Sequence, residues 1–265
     1  MGKVWFVGAG PGDPDLITVK GRGLIAEAGA ILYAGSLVSE TAMRWAPAGC
    51  EIADSKALSL PEIAAWLRER ARRHDTVVRL QTGDPSLYGA LIEMVQPLDA
   101  AGIEIGVVPG VSSAMASAAA AVESLTLPEV TQTVILTRVE GRTPMPAGES
   151  LAELARHHCT LCIFLSITLL DQVREGLRAA GWRDDAPVLV VQKASWPEEE
   201  RILRGTLADI QSRCQAAGVA SQAMILVGPT LGARRWIDLK RSKLYDQGFT
   251  HGFRRGTSPE PGSDH

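Results

Sequence analysis

Three short runs rich in aliphatic and β-branched residues each stop at a bend made of glycine and proline. Lys3–Gly8 runs into Ala9-Gly10-Pro11-Gly12-Asp13-Pro14, Thr76–Gln81 into Thr82-Gly83-Asp84-Pro85, and Ile103–Val108 into Pro109-Gly110. No other feature restricts the fold as much. Runs of this kind read as strands buried on both faces. Each bend turns the chain sharply at one strand end, and a helix-like segment follows. Repeated strand, bend and helix predict an α/β chain built on a parallel sheet. In an open sheet of that type ligands bind outside the carboxyl ends of the strands, where all three bends lie.

The series continues between and beyond the bends. Helices are predicted at Ile17–Ala28, where Gly21 and Gly23 weaken it, at Ser59–Arg73, at Tyr88–Ala101 with Pro97 inside, and from Ser112. Ser59 and Glu62 have capping-box spacing, and Ile63, Trp66, Leu67 and Arg70 recur on one face. Ala30–Gly35 and Glu51–Ala53 read as further strands. The alternation pauses at the proline-containing segment Thr126–Glu129, which divides an N-terminal α/β domain, 1–125, from a C-terminal one, 126–250. The second half offers strands at Thr133–Thr137, Leu161–Ser166, Pro187–Lys193, Glu200–Leu207 and Ala223–Val227, with helices at Glu149–Arg156, Leu169–Ala180 and Thr206–Ala217. Residues 251–265, with Ser258-Pro259-Glu260-Pro261-Gly262-Ser263, have the composition of a disordered tail.

Composition bounds the function. With 46% hydrophobic residues but only 5% aromatic, the cores rest on Val, Ile, Leu and Ala. A formal charge of −3 gives no global attraction to nucleic acid or to an anionic membrane, so an acidic substrate needs a local basic patch. No apolar run reaches the roughly 18 residues that cross a bilayer, and no signal segment opens the chain, which reads as cytoplasmic. Four cysteines do not make a disulfide framework.

The first bend superficially matches a dinucleotide fingerprint, but Asp13 stands where the third glycine should be. Pro11 and Pro14 also keep a helix from starting at the glycines. The second strand ends in Leu32-Tyr33-Ala34-Gly35, without the acid that would hold a ribose. An ordinary Rossmann site is therefore disfavoured. Taken alone, this segment reads equally as a plain turn or as a ligand loop.

Taken together, the bends are more specific. Gly8 to Pro14 with Leu16-Ile17-Thr18, then Gly83-Asp84-Pro85 and Pro109-Gly110-Val111-Ser112-Ser113, resemble the tetrapyrrole methyltransferase family, and the order and spacing agree across the first domain. Phe164-Leu165-Ser166 and Lys193 to Glu199 extend the resemblance to about residues 3–235. Leu32 to Val38, Thr131 to Arg138 and Glu140 to Pro146 are similar to the branch that methylates carbon 11 of precorrin-4 in cobalamin synthesis.

The resemblance implies two α/β domains with the active-site cleft between them, S-adenosylmethionine as methyl donor leaving as S-adenosylhomocysteine, a tetrapyrrole substrate and a homodimer. For donor binding it implies Pro11, Thr82, Gly83, Asp84, Leu87, Ser112 and Ser113 from the first domain, with Leu165 and Ala194 from the second. Small and apolar residues suit a ligand gripped by main-chain groups. Methyl transfer from a sulfonium needs positioning more than acid or base, so no catalytic base is assigned and no metal is expected. A substrate rich in carboxylates calls for arginine forks. Arg138 and Arg142, flanking the Gly141/Pro144/Pro146 loop, are the candidates, with solvated surface charge as the equal alternative. Arg79 is less suited because it sits mid-strand.

Other signals are set aside. Cys159 and Cys162 lack a second ligand pair and read as core. His157-His158 reads as a helix-end cap. The run Arg68, Arg70, Arg72, Arg73 reads as a solvated helix face, and Arg234, Arg235, Lys240, Arg241 and Lys243 as an exposed basic face without nucleic-acid partners. The rival readings are another precorrin or cobalt-precorrin-4 as substrate, RNA or a translation factor as substrate on the same scaffold, and a donor-binding module without activity.

Overall fold

A computed structural model describes residues 1–239 and 242–257. Contacts divide the chain into two compact units. The first gathers Met1–Ala120, Val191–Ile202 and Ser221–Met224; the second gathers Ala121–Val190, Leu203–Ala220 and the chain from Ile225 onward. By contacts the first unit's leading segment ends at Ala120, where the expected division is 125/126, and two later segments, one of them carrying Ala194, group with the first unit.

The first unit holds β1 (Lys3–Gly8), α1 (Val19–Ala26), β2 (Ala30–Tyr33), β3 (Glu51–Asp54), α2 (Leu60–Ala71), β4 (Thr76–Gln81), α3 (Leu91–Asp99), β5 (Ile105–Val108) and α4 (Ser113–Ala120). The sheet order is β3-β2-β4-β1-β5, and the pairings are parallel. Alternation along the strands serves two faces. Val4, Phe6, Leu32 and Val77 pack with Leu67 of α2 and Met94 and Leu98 of α3. Val7, Ile31, Val78 and Leu80 pack with Ile25 of α1. Because both faces of the inner strands are covered, β1, β2 and β4 are mostly apolar, as buried parallel strands require.

Local chemistry sets the helix starts. Thr18 Oγ1 accepts the Gly21 N–H at 3.1 Å and opens α1, well past the first bend. Glu62 Oε2 accepts the Ser59 N–H at 2.7 Å in the predicted capping box of α2. Helix α3 starts at Leu91 and not at Tyr88, because Tyr88 and Ala90 are left-handed (φ 54° and 49°) and break the helical path.

In the second unit and the segments around it follow β6 (Val134–Arg138), α5 (Leu151–Leu154), β7 (Thr160–Phe164), α6 (Leu170–Ala179), β8 (Pro187–Gln192), β9 (Arg201–Thr206), α7 (Ile210–Ala216) and β10 (Ala223–Val227). The second sheet has the order β6-β7-β10-β8-β9, with β6 parallel and β10 antiparallel to β7. Leu170, Val173 and Leu177 form the buried stripe of α6. Helix α7 begins at Ile210, later than the predicted Thr206, which is still part of β9. Within the expected tail, His251 and Arg254 exchange backbone hydrogen bonds at 2.9 and 3.1 Å; residues 258–265 lie outside the described residues.

Cys159 and Cys162 are buried, and burial pushes the Cys162 thiol up to about 12, in keeping with a packing role. His158 stacks on Trp182 at 5.3 Å. Arg70 and Arg73 pair with Glu51 and Glu69 on the helix surface. Of the late basic cluster, Lys240 and Arg241 lie outside the described residues.

Candidate functional site

The order of the first sheet puts β4 and β5 on either side of β1, so the three glycine bends emerge side by side at one edge. They meet backbone to backbone. A Cβ on Gly8 would stand 2.6 Å from both the Gly110 Cα and the Gly83 carbonyl, and one on Gly110 only 2.0 Å from that carbonyl. Gly83 N–H donates to the Gly10 carbonyl at 2.8 Å, and Ala9 N–H to the Gln81 carbonyl at 2.7 Å. Gly10 and Gly83 are both left-handed, at φ 77° and 59°. Side chains are excluded by contact, so main chain forms the surface of this rim.

Asp84 ties the second bend to the third. Its Oδ2 accepts the Gly110 N–H at 2.9 Å and its Oδ1 the Ser86 N–H at 2.9 Å. Burial alone would raise the Asp84 pKa, but the hydrogen bonds from Ser86 and Gly110 outweigh it and hold the carboxyl below the usual range. Thr82, Leu87 and Ser113 are half-buried, while Pro11, Gly83 and Ser112 are buried. Ser112 Oγ accepts the Ala114 N–H at 3.3 Å in the first turn of α4. Pro11, Thr82, Gly83, Asp84, Leu87, Ser112 and Ser113 thus all lie on the three adjoining bends.

Ala194, buried at 6% exposure, follows β8 in a segment fastened to the first bend. Leu165 stands at the carboxyl end of β7 in the second unit, 64% exposed and left-handed at φ 53°. Left-handed non-glycine residues cost about 1–2 kcal/mol each and collect at ligand sites. The left-handed non-glycine residues of this chain include Tyr88 beside Leu87, Leu165 itself, and Lys193 and Ser195 on both sides of Ala194.

Parallel pairing of Arg138 with Phe164 brings the loop after β6 beside Leu165. Ser166 Oγ accepts the Val139 N–H at 2.9 Å and donates to the Phe164 carbonyl at 2.7 Å. The two candidate arginines separate at this point. Arg138 turns back on its own loop, with Nη1 donating to the Thr143 carbonyl at 3.2 Å and Nη2 to the Pro144 carbonyl at 2.7 Å. Arg142, at the exposed tip, makes no hydrogen bond or ion pair among the described residues. Arg79 is buried and donates to Ser55 Oγ at 2.8 Å; burial lowers its pKa to about 10.

Sequence reasoning did not find Trp196, Ser166 or Gln81 as parts of this architecture. Gln81 Nε2 donates to the Gly89 carbonyl at 2.6 Å and holds the strained Tyr88–Ala90 segment. Trp196 reaches a partner 185 residues away, which no local pattern reveals. Its sequence signal was its place in the Lys193 to Glu199 stretch that carries the family resemblance, which gives it no partner.

The fold and this rim define a class: an α/β protein whose first sheet ends in adjoining bends built of main chain and little side chain. The chain belongs to the Tetrapyrrole (Corrin/Porphyrin) Methylases, whose family profile matches residues 3–211. It is 48% identical to the cobalt-precorrin-4 C(11)-methyltransferase of Priestia megaterium over 97% of this chain and 100% of that protein. It is 46% identical to the precorrin-4 C(11)-methyltransferase of Pseudomonas aeruginosa over 96% of this chain and 99% of that one. Among solved structures, a cobalt precorrin-4 methyltransferase of cobalamin biosynthesis superimposes with a TM-score of 0.83 at 48% identity, covering 85% of this chain and 94% of that one. A uroporphyrin-III C-methyltransferase from Thermus thermophilus complexed with S-adenosylhomocysteine gives 0.72 at 31% identity, over 87% and 99%.

Proposed function

We propose that this chain methylates carbon 11 of precorrin-4 with S-adenosylmethionine, giving precorrin-5 and S-adenosylhomocysteine in cobalamin biosynthesis. One observation carries this reading: relatives named for that reaction match at 48% and 46% identity over nearly the whole of both chains. The uroporphyrin-III enzyme shares the fold at only 31%.

The rim fits such a donor. Gly8 and Gly110 pack against each other and the Gly83 carbonyl, so a Cβ at either would collide with main chain and backbone groups are left to line this edge. The donor supplies a methyl already attached to its leaving group. What remains for the protein is alignment, which can contribute about 7–11 kcal/mol. Pro11, Thr82, Gly83, Leu87, Ser112, Ser113 and Ala194 are assigned to hold the donor, and Asp84 to fix the rim through the Gly110 N–H. Leu165 joins this set on the family resemblance. Arg142 is assigned to a substrate carboxylate, and Arg138 to the shape of the loop that presents it. No side chain is assigned as a base. The same reading makes the enzyme a cytoplasmic homodimer that acts on a tetrapyrrole and not on nucleic acid. None of its described helices is long and apolar enough to cross a membrane.

The relatives include both cobalt-precorrin-4 and precorrin-4 enzymes, so the test uses both substrates. Incubation with S-adenosylmethionine and each ring, followed by mass and NMR location of the new methyl, is expected to place it on carbon 11. Transfer to another carbon, or to RNA with none to either ring, overturns the assignment.

A further inference from the structure

Bends at a sheet edge are ordinarily held by their own strand and helix. The first bend here is also gripped by residues that follow β8. Trp196 Nε1–H donates to the Pro11 carbonyl at 3.0 Å, and Ser195 Oγ accepts the Asp13 N–H at 3.1 Å. The indole fills the space beside Gly12, where a Cβ would stand 2.1 Å from the ring. Lys193 Nζ lies 5.1 Å from the ring centroid and pairs with Glu199, while Ser195 N–H donates to Glu200 Oε2 at 2.6 Å.

This strap is strained. Lys193, Ser195 and Glu198 are left-handed, at φ 48°, 67° and 63°, without being glycine. Backbone in that region persists only where surrounding contacts hold it. The fastening to the first bend is one such contact, and Ala194 lies between two of the strained residues. Pro11 and Ala194, both assigned above to the donor, are therefore tied to one another chiefly through Trp196, with Ser195 as a second fastening.

We propose that Trp196 is a positioning residue for the methyl donor, joining Pro11 to the strap that carries Ala194 so that both meet the donor in one geometry. The proposal rests on the donor site assigned under Proposed function. It gives Gly12 a reason of its own, since any side chain there displaces the indole. A purely structural tryptophan would alter stability and leave donor affinity alone. A positioning tryptophan alters donor affinity in a chain that stays folded, and its emission responds to the donor.

Trp196→Phe keeps most of the ring and removes the N–H. Titration calorimetry with S-adenosylmethionine and with S-adenosylhomocysteine is expected to show Kd raised about three- to tenfold, the worth of one hydrogen bond. In turnover the rise falls on the KM for the donor more than on kcat. Tryptophan emission is expected to change on donor binding in the unaltered chain and to lose that change in Trp196→Phe. Ser195→Ala, which removes the second fastening and keeps the indole, is expected to weaken donor binding in the same direction by less, and decides the matter if Trp196→Phe does not fold. Donor affinity unchanged in a folded Trp196→Phe, or in Ser195→Ala if that variant alone folds, overturns the positioning role. If the unaltered chain binds and methylates normally, the functional reading survives that result. Failure of the unaltered chain to bind either compound overturns both.

Discussion

The edge of the first sheet and the loop beside Leu165 in the second unit are built by opposite means. The first is main chain against main chain: Gly8 and Gly110 lie so close to each other and to the Gly83 carbonyl that neither has room for a side chain. The second is fastened by side chains, with Arg138 on the carbonyls of Thr143 and Pro144 and Ser166 on the Val139 N–H, while Arg142 points free. A backbone rim can grip a donor shared by many reactions. A loop held by side chains can change its charged tip without disturbing the sheet, and so suits discrimination among substrates.

Gly110→Ala should test that contrast most severely. Its Cβ meets two backbone segments that cannot turn aside, so we expect a loss of about 3 kcal/mol in denaturant unfolding and no measurable donor binding. A soluble variant with normal affinity would show that the rim yields more than its contacts imply. In the second unit the severe loss should come from a side chain. Glu123, its side chain 1% exposed, pairs with Arg204 and accepts the Gly232 N–H at 2.8 Å. Glu123→Ala should cost about 2 kcal/mol, since Arg204 is partly exposed and can rehydrate. Equal stability to the unaltered chain would deny the unit its dependence on side chains.

Arg142→Ala should separate donor from substrate. The expected result is a KM for the tetrapyrrole raised about tenfold, the scale of one charge-assisted contact, with donor affinity unchanged in the same titration. Unchanged tetrapyrrole affinity would remove Arg142 from the site. The smallest effect concerns Asp84. Its folded-state pKa lies below the ordinary value near 4. It therefore stabilises the fold above about pH 4 and loses that contribution as pH falls through the depressed value. Asp84→Asn should be slightly less stable than the unaltered chain at neutral pH, and the gap should close as the solution is acidified. A gap that widens in acid would contradict the hydrogen bonds drawn from Gly110 and Ser86.

Much of this contrast was legible in the chain. Strands β1 and β4 fall where their apolar runs place them, because burial on both faces leaves an unbroken hydrophobic signature. The capping box at Ser59 and Glu62 was readable because its partners are three residues apart. Helix α3 was misplaced at its start, since nothing in Tyr88-Gly89-Ala90 announces two left-handed residues held through Gln81. Arg138 and Arg142 looked alike in sequence, and only the folded loop separates them, turning one guanidinium inward and leaving the other free.

By itself the sequence determined the alternating α/β order, the three bends and the family, because these depend on short-range patterns of hydrophobicity, glycine and proline. Tertiary structure alone decided that the bends adjoin, that Trp196 clasps Gly12 from far along the chain, and which arginine is free. Those outcomes depend on strand order and on contacts between distant residues, and local propensity carries no record of either.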